Sequence, residues 1–132
     1  PARAKRMNSL FSVMIGGAIG SGARYVVGQT MLARLGPNFP WWTLSINIFG
    51  SFLMGLLVGW LARDASGGEA TRLFVGVGIL GGFTTFSSFS MEFWLLFERG
   101  QAWQAAAYVL ASVVGGILAC GLGLLLLREL PA

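Results

Sequence analysis

Gly81-Gly82-Phe83-Thr84-Thr85-Phe86-Ser87-Ser88-Phe89-Ser90 lies inside an otherwise apolar window running from about Thr71 to Phe97, and its reading decides the fold. Paired glycines followed by hydroxyl side chains sustain a helix poorly, so the window reads as a membrane helix broken near 81–85. Backbone groups freed at such a break find no water in hydrocarbon and need partners inside protein or along a hydrated cavity. Carbonyls turned together can hold a cation, whereas helix ends and hydroxyls can face an anion.

Three more windows accompany this one. A span needs roughly 20 apolar residues, rising about 1.5 Å each, to cross about 30 Å of hydrocarbon. The first runs from about Leu10 to Leu32 and ends before the turn-forming Gly36-Pro37-Asn38-Phe39-Pro40. The second is Trp41 to Ala62, with Trp41, Trp42 and Trp60 where an aromatic belt lies, and the fourth is Ala102 to Leu127, bounded by Arg128 and Glu129. Together they predict one all-α membrane domain over residues 1–132, with a polar, flexible loop across 63–69.

Composition supports lipid as the surroundings: 55% of the residues are hydrophobic and 11% charged. Twenty glycines would weaken soluble helices but suit membrane helices, whose backbones approach closely at small residues. With no His and the single Cys120, the chain lacks the ligand clusters of a metal or haem site and any internal disulfide. Its nine Lys and Arg stand mostly at span ends, as membrane flanks do, and form no nucleic-acid patch. No cleavable signal is evident, so the first span is expected to be retained; Pro1 to Arg6 precede Met7 and carry no weight in the functional reading.

Four spans put both termini and the middle loop on one side, with Arg3, Lys5, Arg6, Arg63, Arg72 and Arg128 against two on the other, Arg34 and Arg99, or three if Arg24 is counted there. That balance favours cytoplasmic termini, yet it nearly vanishes without the residues before Met7, which permits insertion both ways. Four helices do not readily surround a solvated pore, so a conduction path calls for a subunit interface. Small residues repeat at four-residue steps: Ser12, Gly16, Gly20 and Gly28; Ser51, Gly55 and Gly59; Ala111, Gly115, Ala119 and Gly123. Each ladder packs either within the chain or between subunits, and several together favour a tightly packed assembly.

Polar groups inside a span are costly, which makes each a functional candidate. Arg24 shares a face with Gly20 and Gly28; it serves either as an anion-attracting charge or as a structural arginine paired with Glu92. Asn47 lies between Thr43 and Ser51 at helical spacing, and its amide suits either a dehydrating anion or an interhelical hydrogen bond. Tyr108 and Ser112 form a similar pair whose hydroxyls donate without a fixed charge. Phe83, Phe86, Phe89 and Phe93 recur near one face; such stripes are usually packing, but the electropositive ring edge can also meet an anion.

With its four spans, the arginine of the first, Ser45-Ile46-Asn47-Ile48-Phe49-Gly50 and above all GGFTTFSSFS, the chain resembles the Fluc (CrcB-like) family of fluoride channels over essentially its whole length. The family more often reads Ser-Thr-Phe in the last part of that run, so Ser88 departs from it while keeping a hydroxyl. The resemblance implies an antiparallel, dual-topology homodimer in the inner (plasma) membrane, with two fluoride pores and a central, structural sodium ion. By motif position, Phe86 and Phe89 would contact fluoride and Asn47 would be the pore amide. Ser88, Tyr108 and Ser112 would supply hydroxyls, the carbonyls of Gly81 and Thr84 would bind sodium, and Arg24 would favour anions near a vestibule. The implied role is passive export of fluoride from the cytoplasm.

Two other classes compete. A proton-coupled small multidrug exporter would need a buried carboxylate, for which Glu92 is the intramembrane candidate; a non-transporting assembly subunit would use its polar residues as interhelical glue. An enzyme fits least, since no His and no carboxylate pair is present to carry a reaction.

Overall fold

Proline and glycine punctuate the chain into its helices. In the computed structural model, which describes residues 1–64 and 68–130, Pro1, Pro37 and Pro40 all lie outside helices. Helix α1 (Ala2–Leu35) stops at Gly36, whose φ of 80° turns its N–H onto the Leu32 carbonyl at 2.9 Å. Two prolines then bar its continuation, and α2 (Trp41–Arg63) begins directly after the second. The third span is composite: α3 (Gly68–Thr71), a π-helical stretch (Arg72–Leu80), α4 (Gly81–Phe83), an interruption, and α5 (Phe86–Glu98). Gly100 at φ 78° ends α5, with its own N–H on the Phe97 carbonyl and that of Gln101 on the Leu96 carbonyl. This six-to-one and five-to-two pattern satisfies the last carbonyls and reverses the chain into α6 (Ala102–Glu129). The 63–69 loop expected from sequence lies partly, at 65–67, outside the described residues.

Four helical paths are long and apolar enough to cross a membrane, Ala2–Leu35, Trp41–Arg63, Gly68–Glu98 and Ala102–Glu129, and no strand occurs among the described residues. The 34 residues of α1 would extend about 51 Å, so its ends stand beyond the hydrocarbon.

The glycine ladders pack inside the chain. A Cβ on Gly55 would run into the Cys120 carbonyl, one on Gly123 into the Phe52 carbonyl, and one on Gly59 would lie 2.9 Å from the Leu124 carbonyl, so α2 and α6 meet backbone to backbone. In the same way Gly16 and Gly20 of α1 press on Phe74, Gly78 and Ile79 of the π-helical stretch. These contacts use the ladders that the sequence left open to subunit contact; Gly28, by contrast, has open space where its Cβ would be.

Gly81 and Gly82 stay helical, which corrects the expectation that the pair unwinds the span. A Cβ at Gly82 would lie 2.6 Å from the Gly17 carbonyl oxygen. Close packing on α1 therefore holds the glycines in helix against their low propensity. The helix breaks immediately afterwards, at Thr84 (φ −84°, ψ 158°) and Thr85 (φ −150°, ψ 122°), both extended.

Leu44, Leu96, Ala105 and Tyr108 form a small buried cluster backed by Phe39, Ile48, Phe89 and Phe93. It ties α5 to α6 and the second span, on the side of the break where the third span resumes. Most other large apolar side chains face outward, Trp103 at 83% and Ile117 and Leu118 at 67% exposure, as lipid permits and water does not.

Candidate functional site

Breaking a helix in mid-span strands backbone donors and acceptors, and the third span and its neighbouring helices each answer for some of them. The Thr84 N–H and hydroxyl both donate to the Leu80 carbonyl, at 3.0 and 2.9 Å, closing the incoming half. The Thr85 N–H donates to Asn47 Oδ1 at 2.8 Å, and Asn47 Nδ2 donates back to the Thr85 carbonyl at 2.9 Å. One side-chain amide from α2 thus pairs with a whole residue of the extended segment, as an adjacent strand would. Thr85 then caps the outgoing half, its Oγ1 accepting from the Ser88 N–H at 3.2 Å. On the α1 side, Arg24 Nε donates to the Gly82 carbonyl at 3.1 Å, with the Ser21 hydroxyl at 3.5 Å from the same oxygen. Among the described residues no hydrogen bond reaches the carbonyls of Gly81 or Thr84.

An aromatic file starts at the break. Phe86, 78% exposed, lies 5.6 Å between ring centroids from Phe89, which lies 5.2 Å from Tyr108. The Tyr108 ring meets Phe39 edge-on at 5.5 Å, and the tyrosine is fully buried. Its hydroxyl donates to Glu92 Oε2 at 3.4 Å, while Thr43 Oγ1 donates to Glu92 Oε1 at 2.7 Å. One helical turn along α6 from Tyr108, the Ser112 hydroxyl is buried with no hydrogen-bond partner.

Two cavities flank the break. The larger, about 370 Å³, is lined by Arg24, Thr43, Thr85, Ser88 and Glu92 among others; the second, about 290 Å³, by Asn47, Ser51, Met54, Thr84, Thr85 and Phe86. Thr85 belongs to both. The residues singled out from sequence are consequently divided within one copy: Asn47 and Phe86 open on one cavity, Ser88 and Arg24 on the other, and Phe89 and Tyr108 pack beside them in the apolar cluster. The Arg24 side chain turns to Gly82, and no ion pair joins it to Glu92 among the described residues.

Two participants escaped the sequence reading. Thr85, read only as part of a run, is the residue on which the break is braced, and the Thr43–Glu92–Tyr108 contacts were not anticipated as a unit. Glu92 as a lone acid within a span, one carboxylate with two hydroxyls able to reach it, was the available signal.

The model of one family, described as CrcB-like protein, Camphor Resistance (CrcB), matches residues 11–124, which include every residue of this site. The chain belongs to the CrcB-like family. Among curated relatives, the fluoride-specific ion channel FluC of Sphingopyxis alaskensis is 75% identical over 126 residues, covering 96% of this chain and 100% of the relative. The protein of the same name from Mesorhizobium japonicum is 52% identical over 125 residues, covering 95% of this chain and 100% of its own, and that of Novosphingobium aromaticivorans is 52% identical over 124 residues, covering 92% and 98%. In this CrcB-like chain the break offers, beside the Arg24 guanidinium, several uncharged groups: an amide N–H left over on Asn47, the Ser88 hydroxyl and the ring edges of Phe86 and Phe89, with the unpartnered Ser112 hydroxyl farther along α6. Such groups can orient and desolvate a small ion without holding it by a full charge.

Proposed function

We propose that this chain is the subunit of a fluoride-selective channel that lets fluoride leave the cytoplasm passively across the inner membrane. The observation that carries this reading is the exposure of Phe86, 78%, at a mid-span break beside an amide and several hydroxyls. Relatives named fluoride-specific ion channel, one of them 75% identical, supply the identity of the ion. Fluoride is small and tightly hydrated; a pore must offer donors in place of water, and a bare positive charge along the path would retain the ion.

In this reading two copies pair antiparallel, and the second copy covers the exposed face of the break. Each of two pores runs past Phe86 and Phe89, with the Ser88, Tyr108 and Ser112 hydroxyls and the remaining Asn47 N–H along it. Arg24 raises the anion concentration at the mouth. A structural sodium ion fits the carbonyls of Gly81 and Thr84, which receive no hydrogen bond among the described residues; sodium would supply a fixed positive charge that neutralises those oxygens where two breaks meet. The multidrug-exporter alternative needs a carboxylate free to trade protons for drug, and Glu92 is already engaged by Thr43 and Tyr108.

The test is ion flux from liposomes loaded with fluoride or chloride. Fluoride efflux with chloride retained is expected, and Phe86→Ile should slow it about tenfold or more, an extra barrier of about 1.4 kcal/mol, while the protein elutes at the same size. Equal passage of chloride would overturn the selectivity.

A further inference from the structure

Five consecutive carbonyls, from Gly81 to Thr85, straddle the break, and the structure treats them unequally. Gly82 O receives Arg24 Nε at 3.1 Å and Ser21 Oγ at 3.5 Å; Thr85 O receives Asn47 Nδ2 at 2.9 Å. The Gly81 and Thr84 carbonyls receive no hydrogen bond among the described residues. Two side chains from two different helices therefore remove two oxygens from the set and leave three, those of Gly81, Phe83 and Thr84, among them the two that the proposed sodium site requires.

We infer that Arg24 is a positioning residue of the break, fixing the Gly82 carbonyl towards α1 through its Nε so that this oxygen stays out of the set from which the Gly81 and Thr84 carbonyls are offered to a cation. The inference rests on the sodium reading above and gives Arg24 a second task besides attracting anions. Geometry favours it because the bond is made by Nε, deep on the side chain, and not by the terminal Nη groups, which carry no hydrogen bond to protein among the described residues and stay open to the cavity shared with Ser88 and Glu92. The peptide at Gly82 is further pinned by its contact with Gly17, where a Cβ would lie 2.6 Å from the carbonyl oxygen. With its α-carbon held and its oxygen held, that residue cannot rotate its carbonyl toward a cation; released from Arg24, it can, and the free set is no longer defined.

The two roles of Arg24 respond differently to substitution. Gln carries an amide nitrogen at the same number of bonds from the backbone as Nε, so Arg24→Gln keeps the donor and loses the charge. Arg24→Met loses both, and Arg24→Lys keeps the charge but moves the donor one bond farther out. The full chain in detergent is titrated with sodium against N-methylglucamine, with the thermal midpoint as readout. Wild type is expected to gain stability with sodium. Arg24→Gln should keep the wild-type sodium midpoint within about twofold, while Arg24→Met should raise it about fivefold or more, the equivalent of one lost hydrogen bond. Should Arg24→Met not fold, the Gln and Lys variants decide: the inference requires Gln to bind sodium at least as well as Lys. Equal shifts in Gln and Met, a wild-type midpoint in Met, or a wild-type value in Lys with a raised one in Gln would each overturn it. A wild-type protein indifferent to sodium, yet still passing fluoride, would instead overturn the sodium reading and the inference with it.

Discussion

The seam between α2 and α6 and the break at Thr84–Thr85 are both places where this chain handles bare backbone inside a membrane, and they do so by opposite means. Along the seam, Gly55, Gly59 and Gly123 let two intact helices touch main chain to main chain; every amide is used within its own helix and no side chain is needed. At the break the backbone has left the helix, and amide, hydroxyl and guanidinium groups from three helices must serve it one atom at a time. A sealed contact tolerates nothing larger than hydrogen. A braced one tolerates different side chains only if the donors and acceptors match, and it leaves some groups over for an ion.

The contrast can be broken most severely at the seam. Gly55→Leu puts a side chain where the Cys120 carbonyl stands, and with backbone on both sides neither helix can yield; a loss above about 3 kcal/mol is expected, read as failure to elute as folded protein. Normal elution would mean the two helices do not meet as closely as their glycines indicate.

Asn47→Leu attacks the break instead. It removes both bonds to Thr85 and should cost about 1–3 kcal/mol in thermal or SDS unfolding, with fluoride flux falling below detection. Asn47→Asp sharpens the same point, since it keeps an acceptor for the Thr85 N–H but gives up the donor and adds negative charge on the proposed anion path; flux should vanish with a smaller loss of stability. If Asn47→Leu matched wild type in stability, the brace would be dispensable.

The smallest effect belongs to a glycine outside either region. Gly22 has open space around its Cβ position, so Gly22→Ala should change stability within one copy by less than about 0.5 kcal/mol. A larger loss in the intact assembly, with no effect on unfolding of the separated chain, would place that face of α1 against a second copy.

Several features could be read directly from residue order. The four spans follow from length and apolarity, since lipid cannot satisfy a backbone that is not helical, and the end of the first follows from Gly36 and the two nearby prolines. The presence of an interruption within 81–85 was legible because glycines and hydroxyls crowd into an apolar window. Its cause was not, because Gly81 and Gly82 have the same low propensity whether they unwind or pack, and only the proximity of Gly17 decides between the two. The π-helical stretch Arg72–Leu80 likewise has no signature in its own sequence.

Residue types and spacing by themselves therefore established a four-span membrane protein with uncharged polar groups near a weak point in the third span. Which glycines seal a seam, which threonine turns away, and which oxygens are claimed by Asn47 and Arg24 were settled by tertiary structure. The physical reason is that propensity and burial are properties of single segments, while a hydrogen bond between residues 38 or 58 positions apart exists only once the helices carrying them have docked.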